Sequence, residues 1–131
     1  ENTIQIYADV VKSLAAQPMP TQDPYNHMST WCKAIDRISD RRIASRLIDK
    51  AHALKLMLLS TVKKEYLCHA DLHLENIIQQ GDSWVVIDPK GIIGEMVFEA
   101  AAFDLLNTED IITHVTLLAD ALQLEFNRLL A

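Results

Sequence analysis

Glycine is scarce in this chain. Among 131 residues there are three, Gly81, Gly91 and Gly94. They are too few and too dispersed for a glycine-rich phosphate-covering loop. Proline is limited to four residues and aromatics to 6 %. A sandwich of many short strands would need more turn residues and more aromatic filling, so this balance favours helices. The two cysteines, Cys32 and Cys68, make no disulfide framework and have no metal-ligand spacing. With no third His or Cys close to the histidines, a zinc set is not expected. No serine sits in a nucleophile elbow, and neither cysteine has an evident activating base. No apolar run approaches the length that spans a bilayer. The opening Glu1-Asn2-Thr3-Ile4 lacks the basic and apolar regions of a signal peptide. A reduced, cytoplasmic protein with no membrane role is the expectation.

What is present suits one domain over residues 1–131, mainly helical and of the α+β class. Half of the residues are hydrophobic, which supports a packed core and argues against disorder. The net charge of -6 is unevenly spread. Lys33 to Lys64 holds nine Lys or Arg against three Asp, whereas Glu65 to Asp110 holds ten Asp or Glu against one base, Lys90. In the basic half, Asp36, Asp40 and Asp49 alternate with the cations, as on a solvated helix face, so nucleic acid is not expected as a partner. The acidic half could draw a cationic ligand into a cleft by focusing the field.

Hydrophobic spacing places a helix over residues 3–16, with Ile4, Tyr7, Val10, Val11 and Leu14 inward and Asn2 or Thr3 as cap. Pro18 and Pro20 end it, and an ordered loop runs to Pro24. A short helix is predicted from His27 to Ile38, with Trp31, Ile35 and Ile38 inward. Ser39 or Asp40 would cap a long helix from Arg41 to about Val62. Its stripe would be Ile43, Leu47, Ala51, Leu54 and Leu58, widened by Ile48 and Leu59. His27 and His52 are read as structural. Tyr66-Leu67-Cys68 is a short extended segment. A helix beginning near Glu95 would run through Phe98, Ala102, Phe103 and Leu106. Asn107 or Thr108 would cap a last helix along Ile111, Val115, Leu118, Leu122, Phe126 and Leu129.

The chain is organised around Leu67 to Gly94. This stretch holds His69-x-Asp71-x-x-x-x-Asn76, a predicted hairpin turning at Gly81-Asp82, and then Ile87-Asp88-Pro89-Lys90-Gly91. An Asp and an Asn five residues apart on an irregular loop can face one cleft, and the hairpin would return Asp88 to the same end. Phosphoryl transfer needs a carboxylate that orients a hydroxyl and accepts its proton, and oxygen ligands for magnesium. Asp71 suits the first task. Asn76 and Asp88 suit the second, since a hard cation prefers carboxylate and amide oxygens. The plain alternative is an acidic, solvated loop with no chemistry.

His-x-Asp-Leu-His-x-x-Asn followed by Trp-x-x-Ile-Asp-Pro-Lys-Gly resembles the aminoglycoside phosphotransferases, in particular their streptomycin and hydroxyurea kinase branch, which has a protein-kinase-like fold. The resemblance implies Asp71 as catalytic base. It implies Asn76 and Asp88 as magnesium ligands that hold ATP through its phosphates, and His69 as a brace beneath the loop. His73 could pack on the loop or contact a phosphate, and packing is the favoured reading. Asp88-Pro89-Lys90 would stand for the Asp-Phe-Gly of protein kinases. Ala70 replaces a Gly usual in the family, and Met96 follows Gly94-Glu95 where Pro is common. Glu95 and Glu99 are candidates for contacts to a cationic, hydroxyl-rich substrate; the alternative is two acids placed at a helix start by its dipole.

No phosphate-gripping Lys on a strand, with its helical Glu partner, precedes Asp71 in this chain. The resemblance therefore covers the C-terminal lobe, with the N-terminal nucleotide-binding lobe absent. Taken alone, these 131 residues are expected to transfer no phosphate. They are expected to self-associate as a homodimer through surface that a missing lobe would expose, with Ile4, Tyr7, Val10 and Leu14 as the first candidates. The activity implied is ATP- and magnesium-dependent O-phosphorylation of a small hydroxylated antibiotic such as streptomycin. A kinase for another small alcohol (choline, homoserine or a sugar amine), and a catalytically silent binding module, are the rivals.

Overall fold

The computed structural model describes residues 2–21, 24–103 and 110–131. About half of the chain is helical, with two small sheets. In order, the elements are α1 (Asn2–Ala15), β1 (Asn26–His27), α2 (Met28–Trp31) continued by a 3-10 segment (Cys32–Arg37), α3 (Ser45–Ser60), β2 (Tyr66–Cys68), a 3-10 turn (Leu74–Asn76), β3 (Ile77–Gln80), β4 (Ser83–Val86), β5 (Ile92–Gly94), α4 (Met96–Ala100), α5 (Ile111–Leu122) and α6 (Phe126–Leu130).

The core lies where α1 meets α5, α4 and β2. Tyr7 and Val11 from α1 pack with Val115 and Leu118 from α5 and with Leu72, all at most 1 % exposed. The spacing of these residues at three and four positions puts them on one helix face. Tyr7 also meets Phe103 edge to face, with ring centroids 4.8 Å apart. Ile4, Tyr7 and Val10, expected to form a free surface for dimerisation, are instead buried inside the chain. A single buried residue, Leu72, follows Asp71 directly and so pins the loop of the candidate site to this core.

In the three-stranded sheet β5 is central, parallel to β1 and antiparallel to β2, with Cys68 opposite Ile92. The second sheet is the hairpin β3–β4, in which Ile77 faces Val86 and Gln80 faces Ser83. Gly81 makes its turn at φ 62°, a left-handed conformation that costs glycine nothing.

Four expected elements differ, the last being the helix expected to run from Ile111 through Phe126 and Leu129, which is two, α5 and α6, parted at Gln123 where φ turns to 56°. His27 lies in β1 and caps α2, its Nδ1 accepting from the Ser29 amide at 3.1 Å while Nε2 pairs with Glu65. The predicted helix from His27 is therefore one α-helical turn and a 3-10 segment, and Trp31 and Ile38 are exposed rather than inward. The long helix starts at Ser45, not Arg41. Asp40 is used in a turn, where Oδ1 accepts from the Arg42 amide at 2.9 Å and both carboxylate oxygens hold its guanidinium. Helix α3 buries no residue fully, and Leu47 and Leu56 are more than half exposed, because the element packed along it is the short 3-10 segment. The helix after Glu95 closes at Ala100. Leu106 and the cap expected at Asn107 or Thr108 lie outside the described residues. Within them Asp110 caps α5, accepting from the Thr113 amide at 3.0 Å.

Among the described residues no helix is long and apolar enough to cross a membrane.

Candidate active site

The loop between β2 and β3 is held from every side by His69. Its backbone carbonyl accepts from the Lys90 amide at 2.9 Å, and its own amide donates to Glu99. Nδ1 accepts from the Asp71 amide at 3.3 Å, which leaves the proton on Nε2 to donate to the Ile87 carbonyl at 2.7 Å. This 4 % exposed imidazole therefore lies under the loop and joins it to the end of the hairpin.

Asp71 follows with its side chain 40 % exposed, beside the buried Leu72. The Asp71 carbonyl accepts from the His73 amide at 2.9 Å and from Asn76 Nδ2 at 2.8 Å. Asn76 Nδ2 also donates to His73 Nε2 at 3.1 Å, so His73 packs on the loop. With its nitrogen so engaged, Asn76 keeps Oδ1 without a partner among the described residues. No fully enclosed side-chain polar atom among them lacks a partner, so that oxygen keeps some access to solvent although Asn76 as a whole is 7 % exposed. The Asn76 carbonyl accepts from the Ile87 amide at 3.0 Å. This last rung of the hairpin brings Asp88 round beside Asn76.

Lys90 completes the cluster. Its ammonium lies 2.7 Å from Asp88 Oδ2 and 3.3 Å from Asp71 Oδ2. The bond from Lys90 holds the Asp88 carboxyl below the usual carboxylate range, and bonds to Asp88 and then Asp71 raise the Lys90 ammonium. Asp71, Asp88 and Lys90 thus form one connected group at the surface, and Asn76, 7 % exposed, is bonded to it through the Asp71 carbonyl.

The backbone here is strained. Of three non-glycine residues with positive φ among those described, two flank the cleft, Ala70 at 66° and Asp88 at 56°. Left-handed geometry is costly for alanine and more tolerable for aspartate, and such strain concentrates at functional sites. At Ala70 it has a visible use. The consecutive amides of His69 and Ala70 point together at the Glu99 carboxylate, the latter at 3.2 Å. Gly91, at φ 67°, passes under Tyr25; a Cβ there would meet its ring at 3.1 Å.

The two acids read as substrate contacts sit elsewhere. Glu99 is 3 % exposed, with its oxygens spent on the loop amides. Burial raises its pKa, against the opposing pull of the Ala70 and His69 amides. Glu95 is held by Arg128 through two bonds, Nη2 to Oε1 at 2.7 Å and Nε to Oε2 at 3.1 Å. Arg128 also donates to Leu58 O and Thr61 Oγ1, tying α6 to the end of α3. Glu95 and Arg128 line a cavity of about 560 Å³ beside Tyr66, and Asp71, Asn76 and Asp88 take no part in it. Cys68 is buried next to this region, and burial pushes its thiol up to about 12, far from a reactive thiolate.

A divalent metal fits the donor set. Asp71 and Asp88 already converge on a cation, the Lys90 ammonium, and Asn76 offers a free amide oxygen. Among the described residues no cluster of three or more His, Cys, Asp or Glu could hold a metal alone. Magnesium in such a place would draw its remaining ligands from phosphates and water.

Sequence reasoning had missed two residues. Arg128 has no local signal, since its partners lie at the end of α3 and at Glu95, far along the chain. Lys90 stands in the sequence as the lone base of the acidic half and as the last residue of Asp88-Pro89-Lys90, with nothing there to give it a role of its own.

A half-exposed carboxylate beside further carboxylate and amide oxygens is the kind of donor set that phosphotransfer needs. The chain belongs to the aminoglycoside/hydroxyurea antibiotic resistance kinase family, whose model matches residues 1–130. A curated relative, a streptomycin 3''-kinase from Klebsiella pneumoniae, is 26 % identical over 102 residues, covering 77 % of this chain and 37 % of that protein. The chain thus spans under two fifths of the length of that relative. No solved structure matches the chain.

Proposed function

We propose that this chain is the C-terminal lobe of a protein-kinase-like phosphotransferase, which moves the γ-phosphoryl group of ATP to a hydroxyl of a small cationic antibiotic, streptomycin being the first candidate. The observation that carries this is the meeting of the exposed Asp71 and Asp88 carboxylates at the Lys90 ammonium, with Asn76 bonded to the Asp71 carbonyl, in a chain of this family.

In this reading Asp71 orients the acceptor hydroxyl and takes its proton as the oxygen bonds to phosphorus and the bridging bond to ADP breaks. Asn76 Oδ1 and Asp88 would hold magnesium, which when bound neutralises the phosphate charge. His69 and Glu99 keep the loop in place, since their hydrogen bonds fix the backbone on both sides of Asp71. The excess of carboxylates between Glu65 and Asp110 would attract a cationic substrate, and Glu95 would contribute to that field rather than by contact. The reaction belongs in the cytoplasm, where ATP is.

The test is transfer of labelled phosphate by the intact protein across a panel of streptomycin, other aminoglycosides, hydroxyurea, choline and neutral sugars, at rising salt. Magnesium-dependent labelling of streptomycin that weakens with salt is expected, because exposed charges are screened. Preference for a neutral sugar, without a salt effect, would defeat the antibiotic reading.

A further inference from the structure

Most of the charged groups near Asp71 have evident tasks, but Lys90 has one that the proposed chemistry does not use. Its ammonium is shared between the two carboxylates that would serve as base and metal ligand, at 3.3 Å from Asp71 and 2.7 Å from Asp88. We propose that Lys90 is a built-in counter-cation: it neutralises Asp71 and Asp88 in the metal-free protein, and it is displaced when a divalent cation takes Asp88. This inference rests on the reading of Asp88 as a metal ligand.

The argument is electrostatic and geometric. Two carboxylates that meet at one point repel each other unless a cation lies between them, and a lysine ammonium offers three donors for that purpose. A magnesium ion seeks the same Asp88 oxygens. Lys90 holds Asp88 through Oδ2, and a divalent ion brought to the same carboxylate repels the ammonium beside it, so the singly charged and flexible partner is the one to leave. The backbone of Lys90 is fixed, because its amide donates to His69 O at 2.9 Å. Its side chain is 38 % exposed and ends a flexible four-carbon stem, so the ammonium alone can swing away. Leaving Asp88 also loosens its hold on Asp71. The base is therefore released when the metal is loaded, and the freed ammonium stays near enough to meet incoming phosphate oxygens. Lys90 acts through Asp71 and Asp88, and is a positioning residue.

The test is Mn2+ binding to the intact protein without nucleotide, read from the free-ion paramagnetic resonance signal. Wild type, Lys90→Met, Lys90→Arg and Asp88→Asn are compared, with phosphotransfer measured in parallel. Lys90→Met should bind Mn2+ about tenfold more tightly, since a like charge is removed beside the ion, yet turn over more slowly. Lys90→Arg keeps the charge and should stay near wild type in Mn2+ affinity. A lysine that merely supported the loop would lower both binding and turnover on removal. Unchanged or weaker Mn2+ binding by Lys90→Met, with binding lost in Asp88→Asn, would overturn the inference and leave the proposed function standing. Mn2+ binding unchanged in both Lys90→Met and Asp88→Asn would overturn the metal assignment, and the inference with it.

Discussion

The His69 imidazole donates to the Ile87 carbonyl at 2.7 Å, and this bond couples the loop that carries Asp71 to the strand end that carries Asp88. Neither acid is placed by its own side chain. Both are placed by backbone held around a buried histidine, with Glu99 fastening the same loop from the other side through the His69 and Ala70 amides. The two carboxylates are thus left exposed while their supports are buried.

Ala70→Gly should stabilise the protein. Ala70 sits at φ 66°, where a Cβ costs about 1–2 kcal/mol. Part of that gain is lost to the greater freedom of glycine in the unfolded chain, so a net increase of about 0.5–1 kcal/mol is expected. Urea unfolding monitored by circular dichroism measures it. A loss of stability would mean that the Ala70 methyl makes packing contacts worth more than the strain.

Glu99 predicts a pH slope. Its pKa is raised by burial, so the folded chain binds more protons at this group than the unfolded chain does. Its contribution to stability is therefore greatest at acid pH, falls as pH rises above the ordinary carboxylate pKa, and levels off beyond the raised value. Plotted as wild type minus Glu99→Gln, the unfolding free energy should decline with rising pH across that window. Glu99→Ala leaves two buried amides without an acceptor, at about 1–3 kcal/mol each. A flat difference curve would show that the amides fully offset the burial.

Arg128→Ala should be costly far from the cleft. The Glu95–Arg128 pair is mostly buried, at 13 % and 17 % side-chain exposure, and removal of the arginine strands a carboxylate. A loss of roughly 3 kcal/mol is expected. Arg128→Met with Glu95→Gln should recover much of it, since no unpaired charge then remains. Thermal unfolding of the single and double variants decides between a paired and an independent role.

The hairpin from Ile77 to Val86 was readable in the sequence because its structure is local. Gly81-Asp82 supplies the turn, the apolar pair Ile77-Ile78 and the run Trp84-Val85-Val86-Ile87 supply the two strands, and the register of Ile77 with Val86 follows from both. The faces of α1 and α5 were readable for the same kind of reason, since helical spacing marks them. Other features depend on distant partners. Asn26 and His27 become a strand because Ile92 and Ile93 lie alongside. The stripe on α3 signals an amphipathic helix without saying how little would cover it. Glu99 and Glu95 read as free acids, and their partners, the amides of His69 and Ala70 and the Arg128 guanidinium, lie about thirty residues away along the chain. The bridging place of Lys90 could be known only once the loop and the hairpin end were side by side.

The central claim is that Asp71 is the base of a phosphotransfer centre. Steady-state kinetics of Asp71→Ala in the intact protein, with streptomycin and ATP, test it most directly. The account predicts a fall in kcat of roughly a hundredfold or more, as for a lost general base and hydroxyl positioner, with little change in the KM for antibiotic. Turnover close to wild type would contradict it.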